Sequence, residues 1–222
     1  MLSIILAESS LELVPVELQN HPSVLSHSKK NRKKSSDILL DNSWHFAAMK
    51  DLENELKRGR PDLVHMCLLS ICASPLYLEN KISVYVHTIN DMVITLRNQV
   101  RIPKSYHRFE GLMEQLFVEK EIRSNKDILL ESENMDFENL INSISPSEVI
   151  GFSTIGEKNS FENIAKNLEK DSCIVIGGFQ KGHFSNETKN KLNKIFSINQ
   201  KSLESHIVIS RILYECEKTI FM

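Results

Sequence analysis

Proline and glycine are scarce. The 222 residues hold six prolines and seven glycines, so no stretch is rich enough in either to mark a linker. No internal repeat divides the chain. Cysteine is equally sparse: Cys67, Cys72, Cys173 and Cys216 sit inside apolar runs, with no CxxC pair. That excludes a zinc ribbon and a thioredoxin-type centre and fits buried, reduced thiols. His65 stands near Cys67 and Cys72, and no metal is assigned there. Neither sign of charge is in excess. With a net charge of −2, the whole molecule is not a polycation, and any nucleic-acid surface must be a local patch. No apolar run is long enough to span a membrane, and the opening MLSIILAESS has no basic leader region. The expectation is a soluble, cytoplasmic chain.

What is present is ordinary for a globular protein: 41% hydrophobic and 25% charged residues. The length suits one large domain or two small ones. Short apolar runs at 2–7, 38–40, 63–73, 82–87, 92–96, 149–154, 173–176 and 195–198 read as strands. The run at 63–73 is the most continuously apolar and reads as a central strand. The two runs at 82–87 and 92–96 flank Thr88-Ile89-Asn90-Asp91, a hairpin turn.

Helical signals alternate with these. Pro22 opens a helix running into 29–34. Asp41–Ser43 caps a helix carrying His45, Ala48, Met49, Leu52 and Leu56, which ends near Gly59 and Pro61. Ser105 precedes Phe109, Leu112, Met113, Leu116 and Phe117 at i, i+3, i+4, i+7 and i+8, an amphipathic helix. Further helices are expected at 137–144, 161–168 and 203–216. Such alternation indicates α/β with a mostly parallel sheet.

Four segments carry candidate chemistry. SCIVIGGFQKG at 172–182 is an apolar run ending in Gly177, Gly178 and Gly182. It is either a bare strand-to-turn junction or a loop where a ligand approaches the backbone. The run at 29–34 has five basic residues in six, a solvated helix end or a phosphate-binding patch. RGRPD at 58–62 holds two arginines and one carboxylate on a turn. Arg101 and Lys104 precede a helix and Arg108 lies in its first turn; cations there oppose the helix dipole, which raises the case for a bound anion.

Taken together, the chain resembles the Nep/Emg-type pseudouridine-N1 methyltransferases of small-subunit ribosomal RNA, a branch of the SPOUT superfamily. The residues that carry the resemblance run in order through the chain. They are ELVP at 12–15, QNHPSV at 19–24, ILLD at 38–41, AMK at 48–50, RGRPD at 58–62, CLL at 67–69, SPL at 74–76, RIP at 101–103, RF at 108–109 and GLMEQL at 111–116, followed by the 177–182 loop and IFSI at 195–198.

The resemblance implies one SPOUT-like α/β methyltransferase domain over 1–222. It would have a mostly parallel sheet with helices on both faces, a β-rich insertion around 75–104 and a C-terminal trefoil knot. The cofactor would be S-adenosyl-L-methionine, held by Ser153, Thr154, Gly177, Gly182, Ile195, Phe196, Ser197, Ile198, Asn199, Gln200 and Leu203. RNA would meet Arg60, Arg101, Lys104 and Arg108. Asp62 and Arg60 would form the catalytic pair. The family works as a homodimer on a small-subunit rRNA hairpin and serves ribosome assembly, with ribosomal proteins of the small subunit as further partners. No metal is implied. The sequence departs from the family at His45-Phe46, where paired histidines are common, and at Lys104, where Arg also occurs and offers a bidentate phosphate fork.

The chemistry asks for alignment of N1 with an already activated methyl group. The N1 proton must also leave. Asp62 either accepts it or only orients Arg60. Orientation is favoured, because an Asp paired to Arg has a lowered pKa and is a poor base. Competing functions are a methyltransferase for another RNA such as tRNA and a non-catalytic rRNA-binding assembly factor.

Overall fold

A computed structural model describes residues 1–97 and 100–220. Among these, the strands are β1 (Leu2–Ser9), β2 (Ile82–Thr88), β3 (Met92–Leu96), β4 (Glu121–Ser124), β5 (Asp127–Asn134), β6 (Val149–Lys158), β7 (Cys173–Gly177) and β8 (Lys194–Ser197). The helices are α1 (Pro22–Asn31), α2 (Asn42–Met49), α3 (Pro61–Cys72), α4 (Pro75–Leu78), α5 (Tyr106–Glu119), α6 (Phe137–Ile144), α7 (Phe161–Lys166), α8 (Asn186–Lys189) and α9 (Ser205–Ile220).

All eight strands form one sheet in the order β4-β5-β3-β2-β1-β7-β6-β8. β1 is buried throughout. Its alternate side chains go to opposite faces, Ile4 and Leu6 into one core cluster and Ile5 and Ala7 into another. A strand covered on both faces needs no polar alternation, which explains its unbroken apolar run. The first cluster takes in α3, α5 and α9, and the second takes in Phe137 and Leu140 of α6, so helices do cover both faces. The sheet is parallel through β2-β1-β7-β6-β8 and antiparallel through β2-β3-β5-β4. The expected mostly parallel character therefore belongs to one half. The polar stretch at 121–134, which shows no strong apolar pattern, supplies β4 and β5 through a turn with Asn125 at φ 56°.

Three local expectations are corrected. The run at 63–73 is not a strand but the helix α3. Its buried residues Leu63, Val64, Cys67, Leu68 and Ile71 follow helical spacing, and neighbours on most sides leave only a narrow polar stripe. Pro61 at its first position and Asp62 in its first turn were start signals. The helix after Asp41 ends at Met49 rather than near Gly59, because Asp51 and Asn54 take left-handed conformations at φ 68° and 56°. The run at 38–40 forms only an isolated bridge, Leu13 to Leu39.

α1 and α2 pack around a small separate core of Val14, Val24, Ile38, Leu40, Ala48 and Met49. Two buried histidines join them. His45 Nδ1 accepts from Asp41 N at 3.1 Å, so its Nε2 carries the proton and donates to His27 Nδ1 at 3.0 Å. Trp44 stacks on His27 with centroids 4.6 Å apart. Burial lowers the pKa of both rings, that of His45 to about 4. The basic run at 29–34 is partly engaged here: Lys30 lies 4.3 Å from the Trp44 ring centroid and Lys33 pairs with the buried carboxylate of Glu114.

Candidate active site

The parallel half of the sheet ends in three loops that enclose a cavity of about 480 Å³. β6 contributes Phe152, Ser153 and Thr154, the end of β7 and the loop after it contribute Gly177 and residues 179–184, and the segment after β8 with the start of α9 contributes Ile198, Asn199 and residues 201–205. Apolar walls come from Phe152, Ile176, Phe196, Ile198 and Val208, and cations from Lys181 and Lys201. The loops are tied to one another. Ser205 Oγ donates to Gly177 O at 2.6 Å, and Ser153 Oγ lies 3.3 Å from His183 Nδ1. Gly182 sits at φ 107°, a conformation that side chains rarely adopt.

Of the sequence-derived cofactor positions, Ser153, Thr154, Gly177, Gly182, Phe196, Ile198, Asn199 and Leu203 all line this cavity. Ile195, Ser197 and Gln200 do not. The Ile195 carbonyl backs onto Gly156, and Ser197 is turned to the carbonyl of Asn199 at 3.3 Å. Sequence reading missed Phe152, Lys181, His183, Lys201, Glu204 and Ser205. Each lies within two residues of a predicted position, and only the loop closure shows which side chains turn inward.

The RGRPD turn abuts this cavity. Ser10 N donates to Gly178 O at 2.8 Å, and Arg60 N donates to Ser10 O at 3.3 Å. Ser10 Oγ donates to Lys57 O at 2.6 Å, and Lys57 Nζ stands 4.5 Å from the ring centroid of Phe179, a cavity wall. Arg60 is thus two backbone hydrogen bonds from the glycine loop. Its guanidinium grips Asp62 through Nε to Oδ1 at 2.7 Å and through a second nitrogen to Oδ2 at 2.9 Å. The pair raises the pKa of Arg60, with Glu204 and Asp41 adding to the effect. Burial works to raise that of Asp62, but Arg60 outweighs it and holds the carboxyl below its usual range. An Asp so held orients the guanidinium.

The other sequence-derived cations lie outside the cavity. Arg101, Lys104 and Arg108 are exposed. Ser105 stands at the N-cap of α5 with no side-chain cap bond. α3 brings this segment to Arg60: Arg60 caps the helix and, one turn on, His65 Nε2 donates to Pro103 O at 2.7 Å. His65 also stacks on Phe109, centroids 4.4 Å apart. A Tyr106 hydroxyl bond to the Asp41 carboxylate holds the start of α5 against α2.

A second cavity, of about 600 Å³, lies beside Glu8, Lys57, His87, Asp91, Asp136 and Lys191. Charged side chains dominate its walls. It offers less apolar surface for a nucleoside than the first cavity, which is the better small-molecule site. Among the described residues no group of His, Cys, Asp and Glu is arranged to hold a metal ion, and no helix is long and apolar enough to cross a membrane.

The chain is similar to known proteins along nearly its whole length. The model of the EMG1/NEP1 methyltransferase family matches residues 4–217. The chain is 41% identical to the ribosomal RNA small subunit methyltransferase Nep1 of Staphylothermus marinus, over 97% of this chain and 95% of that one. To the Nep1 of Saccharolobus solfataricus it is 42% identical, over 99% and 98%. The crystal structure of Archaeoglobus fulgidus Nep1 bound to S-adenosylhomocysteine superposes with a TM-score of 0.89 at 36% identity, covering 99% of both chains. The chain belongs to the EMG1/NEP1 methyltransferase family.

Proposed function

We propose that this protein transfers a methyl group from S-adenosylmethionine to N1 of a pseudouridine in a small-subunit rRNA hairpin, in step with assembly of that subunit. One observation carries the reading: a cavity with apolar and polar walls and a glycine loop shares backbone hydrogen bonds, through Ser10, with a preoriented arginine. The cavity suits such a cofactor in size, with Phe152 and Phe196 for an apolar body and Lys181 and Lys201 near for a carboxylate. When bound, the cofactor supplies a methyl group already activated on a sulfonium sulfur.

The chain's own residues then do the positioning. Ser153, Thr154, Gly177, Gly182, Ile198, Asn199 and Leu203 hold the cofactor. Arg60, locked by Asp62, receives the target nucleotide after it leaves the RNA stack. Arg101, Lys104 and Arg108 hold flanking phosphates. The chain is proposed to act as one domain in a homodimer, in the cytoplasm, with the crossings among β6, β7, β8 and α9 closing the trefoil knot of its superfamily.

The test is methyl transfer from labelled S-adenosylmethionine to two hairpins that differ only in uridine or pseudouridine at the target. Transfer to the pseudouridine hairpin alone is expected, since uridine offers no N1 nucleophile. Binding of both with transfer to neither would favour a non-catalytic assembly factor.

A further inference from the structure

The N1 proton needs an acceptor, and Asp62 is poorly suited: both of its oxygens are taken by Arg60. The cavity wall supplies another acid. Glu204 is the one negatively charged residue among those that line it. Its carbonyl accepts from Ile207 N at 2.9 Å and Val208 N at 3.2 Å, so the first turn of α9 fixes its backbone. The adjacent Ser205 anchors the same turn to Gly177. The Glu204 side chain is exposed, and its carboxylate makes no hydrogen bond or ion pair among the described residues. Its charge is among those that raise the pKa of Arg60. Glu204 therefore offers an unpaired carboxylate on the wall of the methyl-donor cavity, next to the residue that ties α9 to Gly177.

We propose that Glu204 is the general base of the methyl transfer, taking the N1 proton directly or through one water. The inference rests on the pseudouridine-N1 reading above. N1 forms its bond to the methyl carbon, the carbon–sulfur bond breaks with its electron pair going to sulfur, and the N1 proton passes to the Glu204 carboxylate and then to solvent. As N1 bonds to the methyl its proton becomes strongly acidic, so a carboxylate is basic enough to take it while the bond forms. Positioned bases of this kind contribute about 10²–10⁴-fold. The division of labour also explains why the two acids differ: Asp62 is committed to a positive partner, and Glu204 keeps its lone pairs free.

The test uses Glu204→Gln, which keeps shape and removes basicity. With the pseudouridine hairpin, kcat should fall about 100-fold or more. Affinities for S-adenosylhomocysteine and for the hairpin, measured by calorimetry, should stay within about threefold of wild type. The residual rate should climb about tenfold per pH unit on the alkaline side, as solvent takes over the proton. Glu204→Asp should recover part of the rate, and unchanged thermal unfolding of both variants separates chemistry from folding. A kcat within about threefold of wild type, or a loss confined to cofactor affinity, would overturn the assignment. If the wild type itself transfers no methyl to the pseudouridine hairpin while binding it, the reaction reading has failed, and the base with it.

Discussion

Arg58 and Arg60 flank Gly59, and each holds a carboxylate through two nitrogens. Arg58 turns inward to Glu12, at 2.7 and 2.5 Å, with only 11% and 3% of the two side chains exposed. Glu12 also accepts from Asn90 Nδ2 at 2.8 Å, which ties the turn to the β2–β3 hairpin. Arg60 turns outward onto Asp62, with 22% and 44% exposed. Gly59 makes the divergence possible. It sits at φ 65°, and a Cβ there would meet Met49 Cε at 2.7 Å. The interior pair is sealed and serves the fold. The outer pair adds little stability and presents a guanidinium, already oriented, beside the cavity. Like geometry thus stands in two environments, one sealed in the fold and one open to a ligand.

The largest expected effect comes from opening the inner pair. Arg58→Met strands the Glu12 carboxylate and should cost about 3–5 kcal/mol in denaturant unfolding. Arg60→Met sharpens the contrast. It should cost under about 1 kcal/mol of stability while methyl transfer to the pseudouridine hairpin falls about 100-fold. A comparable stability loss in both variants would erase the distinction.

Acid provides a third comparison, with the buried histidines. Their folded pKa values lie below the unfolded one near 6.5, so the unfolded chain takes up protons first as pH falls. Stability should be full above about pH 6.5 and decline toward pH 4, by at most about 1.4 kcal/mol per pH unit for each ring. The double variant His27→Gln, His45→Gln should flatten that slope in thermal melts. Asp62, held low by Arg60, adds a small contribution lost only below the ordinary carboxylate range. Asp62→Asn should leave the melt nearly unchanged and lower kcat/KM about tenfold through a misaimed Arg60. The smallest effects belong to the outer cations. Alanine at Arg101, Lys104 or Arg108 should each weaken hairpin binding modestly and reduce its salt slope by about 1.

Legibility in the sequence followed the environment of each segment. α5 was readable because it is buried on one side, so its apolar residues repeat at helical spacing. α3 was not, because packing on most of its surface erased the polar stripe, and its Pro61 and Asp62 signals were outweighed. β4 and β5 sit at the polar end of the sheet and carry little apolar pattern. In the candidate site, the glycine loop and the RGRPD and RIPK segments stood out as motifs. Lys181, His183 and Glu204 did not, since nothing in a single sequence says which loop side chains converge once β7, β8 and α9 close the cavity. That Arg58 points inward and Arg60 outward was equally hidden, because it depends on the left-handed turn at Gly59.

The most direct test is a crystal structure with S-adenosylhomocysteine and a pseudouridine hairpin bound together. The nucleoside should lie in the cavity beside Gly177 and Gly182, the extruded base between that cavity and Arg60, and the flanking phosphates against Arg101, Lys104 and Arg108, with the Arg58–Glu12 pair untouched. A hairpin seated on another face, or a base lodged in the charged cavity beside Glu8 and His87, would contradict this placement.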